Sequence, residues 1–463
     1  MMALLHRVRK YSQFAQIVTC PSTQPIPDHS VVEQASQVPS VEVSKLQNGT
    51  QVLTESVGFP NSTFVGCLLD VGTRDETPYT SGVLNLLKQS YGWRTQKFLS
   101  KGLISLSGGG LSVSYDQEKT YFQGYCLEHD LQDFLGVMQD CVFGESSSEE
   151  VNQTHKQLLE NLEFKRMTQS NEDLLKELSF KACFGSEGLG LPLEGQSVEQ
   201  LTHSELTDFC QKYFLPNNLI VCAAGVKDHS QFVDSAKPLF EVASPKELPQ
   251  REKAGFFGGE IREKVDSDMA YVNLSYEAAC WSGADMPAFQ VLRTAVGEGG
   301  GFSTGGPGKG MHSRSYTHFL ARYPFLESVQ GSYSAFTDCG SFGITLVGLS
   351  HFSEHMAQGL IKELIELTRI SDAEVNRAKN LLKAQILLTL EKTQQRLEEY
   401  TKMYLTFGKK PQELNYLEMI DQVTPEDVRK LVQKMLRTRP SLVVLGKDPN
   451  SFPSPDKFYA KLS

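Results

Sequence analysis

Residues 342–367, FGITLVGLSHFSEHMAQGLIKELIEL, read as a strand that runs into a helix. Phe342, Ile344 and Leu346 alternate at a period of two, and Met356, Leu360, Ile361, Leu364 and Leu367 then follow helical spacing. The first half holds a stretch of the same plan, YFQGYCLEHDLQDFLGVMQDCVF at 121–143. Two further echoes follow in the same order. EEVNQTHKQLLENL (149–162) matches AEVNRAKNLLKAQI (373–386), and LTHSELTDFCQKYFLPNNLIVCAAG (201–225) matches VTPEDVRKLVQKMLRTRPSLVVLGK (423–447). Their near-constant separation indicates a tandem duplication. A segment rich in Pro, Gly and charge, VASPKELPQREKAGFFGG (242–259), lies between the copies. The expected fold is α+β: two domains of similar fold, 37–245 and 258–463, each a mostly antiparallel sheet flanked by helices. A linker at 246–257 and an N-terminal arm at 1–36 complete the plan.

The same stretch contains HFSEH (351–355), an H-x-x-E-H string. In that pattern two histidines on one helix face hold Zn²⁺ and the glutamate activates water. Here His351 falls at the strand end and His355 in the first helical turn, so the two do not share a face. The competing reading is a polar connection, with Ser353 near the N-cap and Glu354 at the helix start. The counterpart in the first half, CLEHD (126–130), is an ordinary strand–helix corner, which supports the polar reading.

Composition narrows the function. The chain has 463 residues, 40% hydrophobic and 22% charged, as in a globular protein of two or more domains. No apolar run approaches the roughly 20 residues of a membrane span. The nine cysteines form no C-x-x-C pair, which gives no support to a zinc ribbon or a thioredoxin-type site. The opening MMALLHRVRKYSQFAQIVTC carries Arg7, Arg9 and Lys10, and the first acidic residue is Asp28. That is the composition of a mitochondrial transit peptide, expected to be removed somewhere between about residue 15 and residue 40. Taking those three positive charges from the formal net charge of −10 leaves −13 for residues 28–463. Such a body argues against nucleic acid as partner and suits basic ligands.

The segment from Gly297 to Gly310, GEGGGFSTGGPGKG, has too many glycines for a stable helix or strand. A P-loop fails on spacing, because Ser303 stands where the first glycine is needed and Gly310 where Ser or Thr is needed. The dinucleotide pattern fails at Thr304. The segment follows an apolar helix-like run, AFQVLRTAV, and interrupts a domain. Loops of that kind are often binding lids that offer backbone groups to an extended peptide.

With this plan in view, GEGGGFSTGGPGKGMHSRSY (297–316) resembles the glycine-rich loop of the α-type subunits of mitochondrial processing peptidases, within the pitrilysin-type (M16) family. The resemblance extends from VSKLQNGTQVL (43–53) to the C-terminus and implies the M16 fold for both halves. In that family a G-x-R-x-E segment precedes the zinc helix, and GTRDETPYTSGVLNLLKQ (72–89) places Gly72, Arg74, Glu76 and Gly82 accordingly. The H-x-x-E-H position that follows is Asn85-Leu86-Leu87-Lys88-Gln89. Both histidines are replaced, and Lys88 reverses the charge of the general base. The later glutamate ligand aligns with Asn161, with Glu160 and Glu163 close by. One carboxylate cannot hold Zn²⁺ or lower the pKa of its water.

The resemblance therefore implies no catalytic residue, no metal and no other cofactor in this chain. It implies a heterodimer whose β-type partner, or core protein 1 in respiratory relatives, carries the zinc. It also implies a mitochondrial matrix location, or the matrix face of the inner membrane, and basic presequence peptides as ligands. The implied peptide-binding residues are Gly297, Glu298, Gly299, Gly300, Gly301, Phe302, Ser303, Thr304, Gly305, Gly306, Pro307, Gly308, Lys309 and Gly310. Glu298 and Gly301 depart from the usual family form, which has glycine and serine there. A second role stays open: a structural core protein 2 among the subunits of the cytochrome bc1 complex, with no processing role. Retention of GGPGKGM favours the first.

Overall fold

A computed structural model of the chain describes residues 40–56, 62–94, 109–145, 147–241, 245–300, 312–410 and 416–462. The expected arm at 1–36 and most of the glycine-rich segment, 301–310, lie outside the described residues. Twelve strands form two six-stranded sheets: β1 Val41–Lys45, β2 Gln51–Glu55, β3 Ser62–Leu69, β4 Gly110–Tyr115, β5 Thr120–Leu127 and β6 Leu219–Ala224 in the first; β7 Glu260–Lys264, β8 Met269–Ala278, β9 Glu298–Gly300, β10 Leu326–Ala335, β11 Gly340–Leu349 and β12 Ser441–Gly446 in the second. The strand orders are β1-β2-β6-β3-β5-β4 and β7-β12-β8-β11-β10-β9. With β1 and β9 set aside the two orders coincide strand for strand. In each sheet one pair is parallel, β2 with β6 and β7 with β12, and the other pairs are antiparallel.

The helices repeat the same plan. The first half contributes α1 Val83–Arg94, α2 Leu131–Phe143, α3 Ser148–Thr168, α4 Asn171–Phe184, α5 His203–Tyr213 and α6 His229–Phe240. The second contributes α7 Met286–Val296, α8 Ser353–Leu367, α9 Asp372–Glu391, α10 Thr393–Phe407, α11 Tyr416–Gln422, α12 Pro425–Met435 and α13 Pro455–Leu462. Capping boxes open corresponding helices: Ser147 with Glu150 on α3 matches Ser371 with Glu374 on α9, and Thr202 with Glu205 on α5 matches Thr424 with Asp427 on α12. Each box satisfies two helix-end amides that would otherwise lack partners.

One face of each sheet packs on its own helices to form a separate core. The opposite faces are covered by exchange. Leu175 and Ala182 of α4 pack on Val443 and Leu445 of β12, whereas Leu397 of α10 packs on Leu53, Leu68 and Ile220 of the first sheet. Aromatic contacts extend the join, with Phe184 edge-on to Phe336 at 5.6 Å. Polar contacts between the halves concentrate on Arg74, which pairs with Glu118 at 2.7 Å and with Asp338 at 2.5 Å and donates to the Glu252 carbonyl at 2.7 Å. Asp338 is thereby held below its ordinary pKa: burial pushes it up, but the bonds from Arg74 and the Ala254 amide outweigh that.

A second cross-link joins Glu55, at the end of β2, to Arg396 of α10 at 2.5 Å. Burial pushes the Glu55 carboxyl up to about 7, although Arg396 pulls it down. A carboxyl whose pKa is raised by folding favours the fold while protonated and loses that contribution as pH rises through the folded value. Stability is therefore expected to fall as pH rises from about 4.5 to about 7. Urea midpoints across that range check it, and Glu55→Gln should flatten the slope.

Candidate functional site

The segment that the resemblance aligns with the zinc motif is built on α1. Glu76 accepts the Gly82 amide at 2.8 Å and the Leu84 amide at 2.9 Å and so anchors the start of the helix. Burial, opposed by those two amides, pushes its carboxyl up to about 8. Gly82 has φ +106°, and a Cβ on Gly195 would lie 2.3 Å from the Gly82 Cα. This glycine-to-glycine approach brings the turn that carries Glu194 against the helix. Asn85, where a histidine ligand would stand, is buried and donates from Nδ2 to the Glu194 carbonyl at 3.0 Å and to its carboxylate at 3.2 Å. Lys165 of α3, one turn beyond Asn161, reaches the same carboxylate at 2.5 Å. Lys88, in place of the base, sits 5.7 Å over the Tyr115 ring, whose hydroxyl donates to the Leu193 carbonyl at 3.0 Å.

These residues do not fit a zinc ion. Asn85 presents N–H donors to a carboxylate, and two ammonium groups stand where a dication would need electron-pair donors. Gln89 of α1 and Asn161 of α3 are both exposed, and the two helices pack together. Glu194, Lys165 and Tyr115 escaped sequence reading. The one available signal was Gly195, a glycine directly after the glutamate.

The glycine-rich segment begins as a strand. Glu298 to Gly300 pair with Gln330 to Ser328 as β9, which corrects the expectation that so many glycines admit no strand. The open edge of β10 supplies the partners, and the missing Cβ allows close approach: one on Gly299 would meet Leu320 Cδ1 at 3.0 Å. At its base, Gly297 (φ +69°) ends α7 and lies against Ser313, where a Cβ would come within 2.6 Å. Its carbonyl accepts the Gly331 amide at 2.8 Å. The two stems of the segment therefore touch. Phe302, Ser303, Thr304, Pro307, Lys309 and glycines 301, 305, 306, 308 and 310 lie outside the described residues.

The returning stem enters a π-helical turn, Ser315–Leu320, clamped by charge. Arg314 pairs with Glu374 at 2.8 Å, and Arg322 with Glu363 at 2.8 Å and Glu366 at 3.1 Å. His318 Nδ1 lies 2.9 Å from the buried Glu363 and 3.2 Å from Glu366. Among the described residues these three have the proximity of metal ligands. The two guanidiniums already satisfy the carboxylates, and the cluster reads as a clamp on the loop stem.

HFSEH behaves as a connection. Ser350–Phe352 form a 3-10 turn and α8 starts at Ser353, matching the turn Glu128–Asp130 in the first half. Both histidines are exposed, and His355 stands edge-on to Phe352 at 5.9 Å. Phe352, not Ser353, takes the N-cap position, and the Ser353 hydroxyl bonds back to the Ser350 carbonyl at 2.6 Å. The 3-10 turn runs straight into the helix and shifts the cap by one residue.

Residues 51–197 match the insulinase family (peptidase family M16), and residues 200–382 match the peptidase M16 inactive domain. With both matches in chain order, the chain belongs to the M16 peptidase family. A similar protein is the mitochondrial-processing peptidase subunit alpha of Solanum tuberosum, 28% identical over 93% of this chain and 86% of that protein. A probable mitochondrial-processing peptidase subunit beta of Arabidopsis thaliana is 26% identical over 86% of this chain and 76% of its own length. A chain of complex III2 from Candida albicans, solved with Inz-5 bound, shares the fold with TM-score 0.76 at 18% identity, over 91% of this chain and all of that one.

Proposed function

We propose that this chain is a non-catalytic, presequence-recognising subunit of a mitochondrial processing peptidase, paired with a zinc-bearing β-type subunit in the mitochondrial matrix. One observation carries the reading: beside Asn85, where the resemblance puts a zinc ligand, Glu194 is bonded to Asn85 and to Lys165 in a partly exposed ion pair of the chain's own. The alpha-subunit relatives and the formal charge of −10, suited to a basic peptide, support it. The segment 298–310 then serves as the lid, with β9 and the charged clamp holding its two stems.

Binding of a fluorescent presequence peptide to the chain reconstituted with a β-type subunit tests the reading. Saturable binding that weakens when this chain is left out is expected, and binding carried wholly by the β-type subunit would contradict it. Metal analysis of the purified chain should find no stoichiometric zinc. The triple variant Asn85→His, Lys88→Glu, Gln89→His should still show no presequence cleavage, because Asn161 and the Lys165–Glu194 pair remain. Cleavage by that variant alone would mean that three substitutions suffice to disable the site.

A second reading, a structural core protein of complex III, is favoured by the fold shared with the Candida albicans complex III2 chain. Copurification with haem-containing membrane complexes separates the two.

A further inference from the structure

The second sheet turns a hydroxyl-rich face toward α4 of the first half. A cavity of about 190 Å³ lies between them. That is the volume of roughly six water molecules, enough for a short run of small side chains and too little for a folded element. From the sheet side it is lined by Ser328 and Ser332 of β10, Asn273 and Ser275 of β8, and Thr345 of β11, and the sheet contributes no charged residue. The charged lining residues, Glu172 and Lys176, both belong to α4.

Gly343 makes the centre of this face. A Cβ there would meet Ser275 Oγ at 2.6 Å, Ser332 Oγ at 3.0 Å and Asn273 Nδ2 at 3.2 Å. The glycine is what lets these polar groups converge. They are already aligned: Ser275 donates to Asn273 Oδ1 at 2.6 Å, Asn273 Nδ2 donates to Thr345 Oγ1 at 2.9 Å, and Ser332 donates to the Gly343 carbonyl at 3.3 Å. Each hydroxyl and amide can make more bonds than these. The face also continues into the lid, because Ser328 and Gln330 pair in register with Gly300 and Glu298 of β9.

We infer that this cavity binds the uncharged, hydroxyl-bearing part of an extended presequence. Mitochondrial leaders are rich in Arg and Ser and poor in acid. The sheet wall offers a guanidinium no carboxylate partner and suits Ser and Thr, while Glu172 and Lys176 stand on the α4 side alone. The inference rests on the presequence reading and adds a second recognition element to the lid.

Two peptides test it on the full chain by fluorescence anisotropy. One is residues 1–27 of this protein, basic and free of acid; the other has Ser12, Thr19, Ser22 and Thr23 replaced by alanine. The natural peptide is expected to bind roughly five- to tenfold more tightly, the effect of one or two neutral hydrogen bonds. Gly343→Val, which fills the cradle, should abolish the preference and leave the alanine peptide bound as before. The double variant Ser275→Ala, Ser332→Ala should do the same with less strain on the fold. Equal binding of the two peptides by the unmodified chain overturns this inference and leaves the presequence reading standing. A preference that survives in both variants also overturns it. Binding of neither peptide overturns the presequence reading and this inference together.

Discussion

Replacing Arg74 by alanine is expected to destabilise the chain by about 3–5 kcal/mol, the range for breaking a buried ion pair from one side. The Arg74 and Glu118 side chains are 5% and 4% exposed, so the substitution leaves Glu118 buried with its cation removed. Two amides of Thr337 and Ala254 would still reach Glu118 and Asp338, which limits the loss. The effect should be cooperative across the molecule, because Glu118 belongs to the β4–β5 turn of one half and Asp338 to the β10–β11 turn of the other. Chemical denaturation at constant pH gives the number, and a midpoint within experimental error of the unmodified chain would remove Arg74 from this role. A control separates charge from packing: Arg74→Met with Glu118→Leu should be less damaging than Arg74→Ala alone, since the buried Glu118 charge goes with its cation and only the partly exposed Asp338 loses a partner. The G-x-R-x-E segment thus has structural tasks of its own. Arg74 ties the halves together and Glu76 anchors α1, and neither task involves a metal.

Deleting residues 301–306 from the lid should abolish or severely weaken presequence binding while the fold survives. The cut must spare Glu298–Gly300, which are paired with β10, and it leaves Gly297 against Ser313. Those contacts and the Arg314, His318 and Arg322 clamp hold the stems whatever lies between them. The lost residues include only one large apolar side chain, Phe302, so little hydrophobic burial is at stake. Peptide titration and a thermal melt on the same preparation check both halves of the expectation. Unchanged affinity would remove the lid from recognition and favour the structural role in complex III. Glu298→Lys is the milder version: it should weaken binding most for arginine-rich peptides at low salt, because attraction between charges is screened as ionic strength rises.

The duplication, the antiparallel sheets and the nature of HFSEH were legible because period-two and helical patterns repeat with fixed offsets. The echo of 149–162 in 373–386 carries Glu150 and Glu374, the glutamates that close the capping boxes of α3 and α9. The exchange of α4 and α10 between the halves was not legible. Leu175 and Leu397 look like any apolar helix residue, and nothing local states which sheet they cover. Strand β9 was missed because glycine propensity argues against a strand, while a waiting sheet edge overrides it. In the segment that the resemblance aligns with the zinc motif, Asn85, Lys88 and Gln89 could be read directly from the sequence. The Glu194–Lys165 pair was not legible, since nothing local couples two residues 29 apart; the Gly82–Gly195 approach brings Glu194 to α1.

The central claim is that this chain recognises presequences and leaves the chemistry to a partner. A cleavage assay on a presequence substrate tests it most directly, using this chain alone with added zinc, a zinc-bearing β-type M16 subunit alone, and the two reconstituted together. Efficient cleavage is expected only in the mixture. Cleavage by this chain alone, or full activity of the β-type subunit without it, would contradict the account.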